Sequence, residues 1–250
     1  MTYKPLISGQ NIKTINNSSL LGSGNLIVAS NVDYTELWLK FNGANNSTDF
    51  VDDSKNNCLV ARTGAVISTN QSKFEGSSAF FNGGTNSVFC YNSNLDVCNL
   101  YASSTVEFWT YLTSFNSNQT VIHLNNNGGT QGFQISYQNQ KINVDNGVTG
   151  TVQSADVLQL NQWQHIAITI IPNKSIYIYV NGSLIHTLLA QSSYQRANLL
   201  LIGQYNGGGY TSNFNGYIDN FRISSNAVYT PTLYPNGFTL PDANFNVTAL

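Results

Sequence analysis

The chain has 250 residues, with 10 Lys and Arg against 12 Asp and Glu, so only 9% of its residues are charged, about a third of the usual share. Its polarity comes from 36 Asn, 26 Ser and 21 Thr. A net charge of −2 argues against nucleic-acid binding, which needs a clustered basic face. A 41% hydrophobic share with 14 Tyr, 13 Phe and 3 Trp argues against disorder and provides for one sizeable core.

The N-terminal stretch MTYKPLISGQNIK lacks a basic segment followed by an apolar core, so no signal peptide is expected. Residues 1–30 read as a separate unit, a short extended arm in which apolar residues are punctuated by turn formers. No segment of it could bury a core alone, so Ile12, Ile15, Leu20, Leu21 and Leu26 are its candidate assembly positions. Residues 31–241 form the main domain, with short strand signals about every 8–15 residues. Residues 242–250 read as a loosely tethered C-terminal tail. The longest apolar run, Ile166–Pro172, is strand-like and far short of the ~18–20 residues that span a bilayer, so no membrane contact is expected.

Taken in chain order, the strand signals begin with Thr105–Leu112, apolar enough on both faces to be sandwiched. In Gln164–Ile171, Ile166, Ile168 and Ile170 share one face. After a tight connection at Asn173-Lys174, Ser175–Val180 sets aliphatic residues on one face and Tyr177 and Tyr179 on the other. Asn181-Gly182 supplies a φ > 0 pair for a hairpin into Leu184–Leu188. No twelve-residue window carries an uninterrupted helical stripe, so the chain reads as an all-β, antiparallel two-sheet sandwich. Cys58, Cys90 and Cys98 cannot all pair within one chain and lack zinc-site spacing, so they are expected to be buried thiols of a protein folding in a reducing compartment.

Six blocks, in order, resemble the laminin-G-like, concanavalin A-like jelly rolls in the version common in bacteriophage virion proteins. They are Leu37–Gly43, Gln71–Gly83, Val106–Trp109, Trp163–Ala167, Ile178–Gly182 and Phe214–Ser224. The arm segment NIKTINNSSLLGSGNL is similar to one frequent in phage tail and head fibre proteins. Trp109 and Trp163 are expected between the two sheets, Ile218, Phe221 and Ile223 inward on the closing strand, and Gly43 and Gly83 at strand-ending turns.

The resemblance also implies a possible structural calcium on the outer face, held by Asp219 with a carboxylate near position 42 and a carbonyl near Gly83. Position 42 is Asn42, neutral rather than anionic, which lowers the affinity for a hard cation; otherwise no cofactor is expected. Catalysis is not expected. Glu107 is followed by Phe108, Trp109 and Thr110, so the two or three carboxylates a jelly-roll glycosidase sets on one strand face are missing. His165 has no nucleophile motif beside it, and His123 and His186 offer no ligand spacing. The polar loops around Asn126 and between Tyr205 and Tyr210 combine amides with aromatic faces, the chemistry of sugar binding.

Two functions follow from the resemblance. One is a non-enzymatic virion structural protein, a capsid decoration, head fibre or small tail accessory protein assembled in the host cytoplasm. Its arm would dock on other virion proteins, the jelly roll would project outward, and the homo-oligomer would be a trimer. The alternative is a lectin or adhesin, such as a tail fibre receptor-binding protein, contacting host surface polysaccharide.

Overall fold

The computed structural model describes residues 34–91, 102–115, 118–125, 133–145, 151–190, 199–205 and 212–250, and the backbone of two short N-terminal strands. The chain divides into two units, residues 1–33 and 34–250. In the first, β1 (Thr14–Ile15) and β2 (Ser18–Ser19) pair antiparallel. Of the assembly positions, only Ile15 falls in a described strand; Ile12, Leu20, Leu21 and Leu26 lie outside the described residues.

The second unit runs β3 (Thr35–Leu39), β4 (Val60–Thr63), β5 (Val66–Ser68), β6 (Ser78–Asn82), β7 (Ser87–Tyr91) and β8 (Ser104–Leu112). It continues with β9 (Gln119–Asn125), β10 (Gln134–Gln138), β11 (Lys141–Asp145), β12 (Thr151–Gln153) and β13 (Trp163–Ile171). The last are β14 (Ser175–Val180), β15 (Ser183–Leu189), β16 (Leu199–Ile202) and β17 (Asn215–Ser224). One sheet has seven strands in the order β12-β11-β10-β9-β16-β7-β4; the other has eight, β15-β14-β13-β8-β17-β6-β5, with β3 also on β17. Every pairing between two of these described strands is antiparallel, so the fold is the expected all-β two-sheet sandwich.

Side chains alternate across a strand, and this decides what lies between the sheets. Val106 and Phe108, Ile166, Ile168 and Ile170, Ile176 and Ile178, and Ile218, Phe221 and Ile223 all enter the shared core. From the other sheet Ile122, Ile135, Ile142, Leu200 and Ile202 meet them. Phe108 stacks on Phe221 at 5.8 Å and Phe81 meets Phe214 edge-on at 5.6 Å. Each such side chain contributes about 1.5–3 kcal/mol by leaving water. The Asn181-Gly182 turn has φ of 49° and 79°, the paired positive values of the expected hairpin.

Three expectations are corrected. Trp109 and Trp163 do not lie between the sheets: with Phe108 facing in, Trp109 must face out, and its neighbour across the ladder, His165, shares that outer face. Trp109 is nonetheless buried, under the edge of Phe74 at 5.8 Å and the Lys73 ammonium 4.1 Å from its ring; Trp163 is half-buried against Tyr111. At Phe41-Asn42-Gly43 the left-handed residue is Phe41 (φ 59°) rather than the glycine, whereas Gly83 does turn at φ 78°. Residues 242–250 are not loosely tethered. Leu250 N–H donates to the Gly237 carbonyl, Thr239 N–H to that of Thr248, and Phe245 is buried with its ring over the Arg222 guanidinium at 4.1 Å.

Candidate functional site

Asp219 and Asn42 line one small pocket with Lys40, Phe74, Glu75, Asn220 and Ala243, of about 10 Å³, room for a single water. Oδ2 of Asp219 accepts the backbone N–H groups of Lys73 (2.7 Å) and Phe74 (3.0 Å), pinning the loop that covers Trp109. Burial pushes its carboxyl up to about 7 against the pull of those N–H groups. Oδ1 is buried without a hydrogen-bond partner. The Asn42 amide donates to Glu75. Gly83 is not at this pocket; its N–H donates to the Phe214 carbonyl, beside Asn215. The pocket holds the carboxylates of Asp219 and Glu75, the amides of Asn42 and Asn220 and the Lys40 ammonium. Asp219 Oδ2 and the Asn220 oxygen already accept N–H donors, and the Lys40 cation opposes a second cation there. Among the described residues no three His, Cys, Asp or Glu side chains could hold a metal.

Glu107 stands on the outer face of the eight-stranded sheet, fully buried. Oε1 accepts from the Arg222 guanidinium, with Nε at 2.9 Å; Oε2 accepts from the Tyr229 hydroxyl at 2.6 Å and lies 3.2 Å from His165 Nε2. Burial alone would raise this carboxyl, but Arg222, His165 and Tyr229 hold it below its ordinary value. The cluster is sealed by residues 226–250. Tyr229 and Phe238 stack at 4.1 Å and pack with Tyr179 and Ala167. Asn220 donates to the Ala243 carbonyl, and Val228 N–H to Thr105 Oγ1. Glu107 is thus a satisfied structural charge with both oxygens engaged. The sequence carried a signal for it: Glu107 is the one charge in β8, and Arg222 supplies a cation between Phe221 and Ile223 of β17.

The seven-stranded sheet has a different outer face. Ile122 and Leu124 point into the core, so His123 points away from it. Register places Thr151, Asp145, Gln134, His123, Leu201 and Phe89 in one row across β12, β11, β10, β9, β16 and β7. The half-exposed Tyr205, just beyond β16, lays its ring on His123 with centroids 4.5 Å apart and 31° between planes. Burial pushes His123 down to about 4, with Asp145 pulling the other way, so the imidazole is neutral at pH 7. Beside this ring pair, Gln134 donates to Thr120 Oγ1 (2.7 Å), which shares a hydrogen bond with Ser212. Thr151 donates to Asp145, and Gln153 to Asn143 and Gln138. His123 and Leu201 are buried, so the partly exposed Tyr205 ring is the apolar surface beside the half-exposed Gln134 and Asp145 and the exposed Thr151. An aromatic face next to amide, hydroxyl and carboxylate groups suits a ligand with an apolar face and a hydroxyl rim.

Of the predicted sugar-binding residues, Tyr205 lies against His123 of this row, while Tyr210 and Asn126 lie outside the described residues. His123, Gln134 and Asp145 were missed. Only cross-strand register brings these three together.

A family model described as the concanavalin A-like lectin/glucanases superfamily, Laminin_G_3, matches residues 82–231. The chain belongs to this superfamily. No curated protein matches this superfamily member in sequence. Among solved structures it is similar to the binding domain of botulinum neurotoxin serotype D/C VPI 5993 (TM-score 0.60, 18% identity, 78% of this chain and 50% of that one). A botulinum neurotoxin type C structure, described as interacting with two ganglioside molecules, matches with TM-score 0.60 and 18% identity over 78% of this chain and 49% of that one. The neurotoxin DC binding domain in complex with rat synaptotagmin II matches with TM-score 0.59 and 18% identity over the same shares. The chain spans about half the length of these structures, and at such identity the likeness is one of fold.

Proposed function

We propose that the jelly roll is a non-enzymatic glycan-binding domain whose binding surface is the outer face of the seven-stranded sheet. The observation that carries this reading is the Tyr205–His123 ring pair set between Leu201 and the Gln134–Asp145 polar end of one row. An aromatic platform takes the apolar face of a sugar ring, and fixed amides and carboxylates take its hydroxyls. The superfamily and the ganglioside described for one structural neighbour support the same chemistry. The non-enzymatic part rests on Glu107, whose two oxygens are already engaged by Arg222 and Tyr229. The test is a glycan array with the full chain, then with Tyr205→Ala and Gln134→Ala. The expected result is a bound glycan class lost on both substitutions; binding that survives both, or an array without a bound class, overturns the reading.

A second reading, a phage virion structural protein, is favoured by the arm sequence NIKTINNSSLLGSGNL within residues 1–30. In it the arm mounts the domain on head or tail proteins and holds a homotrimer, and the glycan-binding face turns to the host surface. Deleting residues 1–30 is expected to leave residues 34–250 folded but absent from particles; retained incorporation overturns this role for the arm.

A further inference from the structure

Cys58 and Cys90 are free thiols, both buried in the sandwich core. Cys90 lies on β7 directly opposite Val60 of β4, and Cys58 comes two residues before Val60 on the approach to that strand. The two side chains are therefore diagonal neighbours at the start of the β4–β7 ladder, and both enter the same core cluster. The backbone on the Cys58 side is firmly placed: Asp52, itself buried, accepts N–H donors from Trp38 (2.9 Å), Ser54 (2.9 Å) and Cys58 (2.8 Å) and the Ser54 hydroxyl (2.8 Å). Trp38 is on β3 of the eight-stranded sheet, so this knot ties the Cys58 loop to one sheet while Cys90 belongs to the other. β4 is also a weak edge: four residues, none of them buried, held by β7 alone.

We propose that Cys58 and Cys90 form a dithiol–disulfide pair, a crosslink that closes in an oxidising medium and staples the β4 edge and its loop across the two sheets. The chemistry is thiol–disulfide exchange with a small-molecule disulfide such as oxidised glutathione. One protein thiolate attacks a glutathione sulfur and expels the other half as a thiolate, leaving a mixed disulfide. The second protein thiolate then attacks the protein sulfur of that intermediate and expels the remaining glutathione thiolate. The protein loses two electrons and two protons, and the oxidant leaves as two reduced thiols. The bond closes a loop of about 30 residues, long enough for a crosslink to restrict the unfolded chain substantially. Burial pushes the Cys90 thiol up to about 11 and Cys58 higher still, so closure is slow at neutral pH and speeds up as pH rises.

The test oxidises the folded full chain, and a Cys98→Ser variant, with oxidised glutathione, followed by intact mass, peptide mapping and thermal unfolding. The expected result in both is loss of two hydrogens, a Cys58–Cys90 crosslinked peptide, and a Tm raised by about 5–10 °C and returned by dithiothreitol. The closure rate should rise about tenfold per pH unit between pH 7 and 9, and Cys90→Ala should abolish the Tm rise. Persistent glutathione adducts, crosslinks only through Cys98, a folded chain that does not oxidise, or a Cys58–Cys90 bond that leaves Tm unchanged or lower each overturn the proposal.

Discussion

The two outer faces of the sandwich are built on opposite plans. On the eight-stranded sheet the outward residues of β8, β13 and β14 include Glu107, Trp109, His165 and Tyr179, all buried because residues 226–250 and the Lys73–Phe74 loop close over them. On the seven-stranded sheet the outward row keeps Gln134 and Asp145 half-exposed and Thr151 exposed, and its hydrogen bonds run laterally between side chains. The comparison teaches where to look for function. The most chemically suggestive residues by type, a Glu beside a His and a Tyr, belong to the sealed face and serve stability. The face of neutral amides is the one that keeps polar side chains in partial contact with solvent.

The largest expected effect is on the sealed side. Arg222→Met removes the cation that faces Glu107 and leaves a buried carboxylate with only Tyr229 and His165, which should cost about 3–5 kcal/mol of unfolding free energy in urea titrations. Because the Glu107 carboxyl sits below its ordinary value in the folded state, its contribution is present above the usual carboxylate range and is lost as pH falls through its folded value. A loss under about 1 kcal/mol for Arg222→Met would show that the cluster is not the anchor of this face.

Next comes the clasp between that face and the C-terminal segment. Gly182 has φ 79°, and a Cβ added there would lie 2.0 Å from the Phe238 carbonyl oxygen, close to where Phe238 N–H donates to the Gly182 carbonyl at 3.0 Å. Gly182→Ala should cost about 1–3 kcal/mol. Hydrogen exchange should speed up selectively in residues 238–250, and uniform acceleration would contradict a local clasp.

Asp219 on one sheet and His123 on the other respond to pH with opposite sign. Asp219 is raised to about 7 from 3.8, so the native state binds the extra proton and its contribution falls as pH rises from about 4 to 7. His123 is lowered to about 4 from 6.5, so the unfolded state binds the extra proton and its contribution rises over about pH 4 to 6.5. The two oppose each other in the intact chain. Asp219→Asn should therefore gain stability with rising pH across this window and His123→Gln should lose it, read as urea midpoints; identical slopes would remove both assignments.

The smallest expected stability effect belongs to the substitution with the largest effect on binding. Tyr205→Ala should shift unfolding free energy by only about 0.5 kcal/mol while abolishing glycan binding. A loss of several kcal/mol would make Tyr205 a structural lid for His123 instead.

Much of the fold was legible along the chain. The alternation in Gln164–Ile171 and Ser175–Val180 announced strands with a defined inner side, and Asn181-Gly182 announced the turn between β14 and β15. Asp219 was recognisable as an acid with a special task, because a charge within an apolar closing strand must be compensated; its task turned out to be holding the N–H groups of Lys73 and Phe74. Trp109 was misplaced because size suggested the core, whereas its parity with Phe108 put it outside. The His123 row was not legible at all. Its members come from β7, β9 to β12 and β16, and only register sets them side by side.

By itself, then, the sequence determined the strands, their turns and the inward set of side chains, because these depend on a two-residue period and on local φ preferences. It also determined that few charges would be available for chemistry. Only the tertiary structure decided what the outward set would do. Alternation says that Glu107 does not face the core, but not that Tyr229, 122 residues further along, covers it. That covering segment turned one outer face into a second core, whereas the other keeps Gln134 and Asp145 half-exposed and Thr151 exposed beside a buried His123.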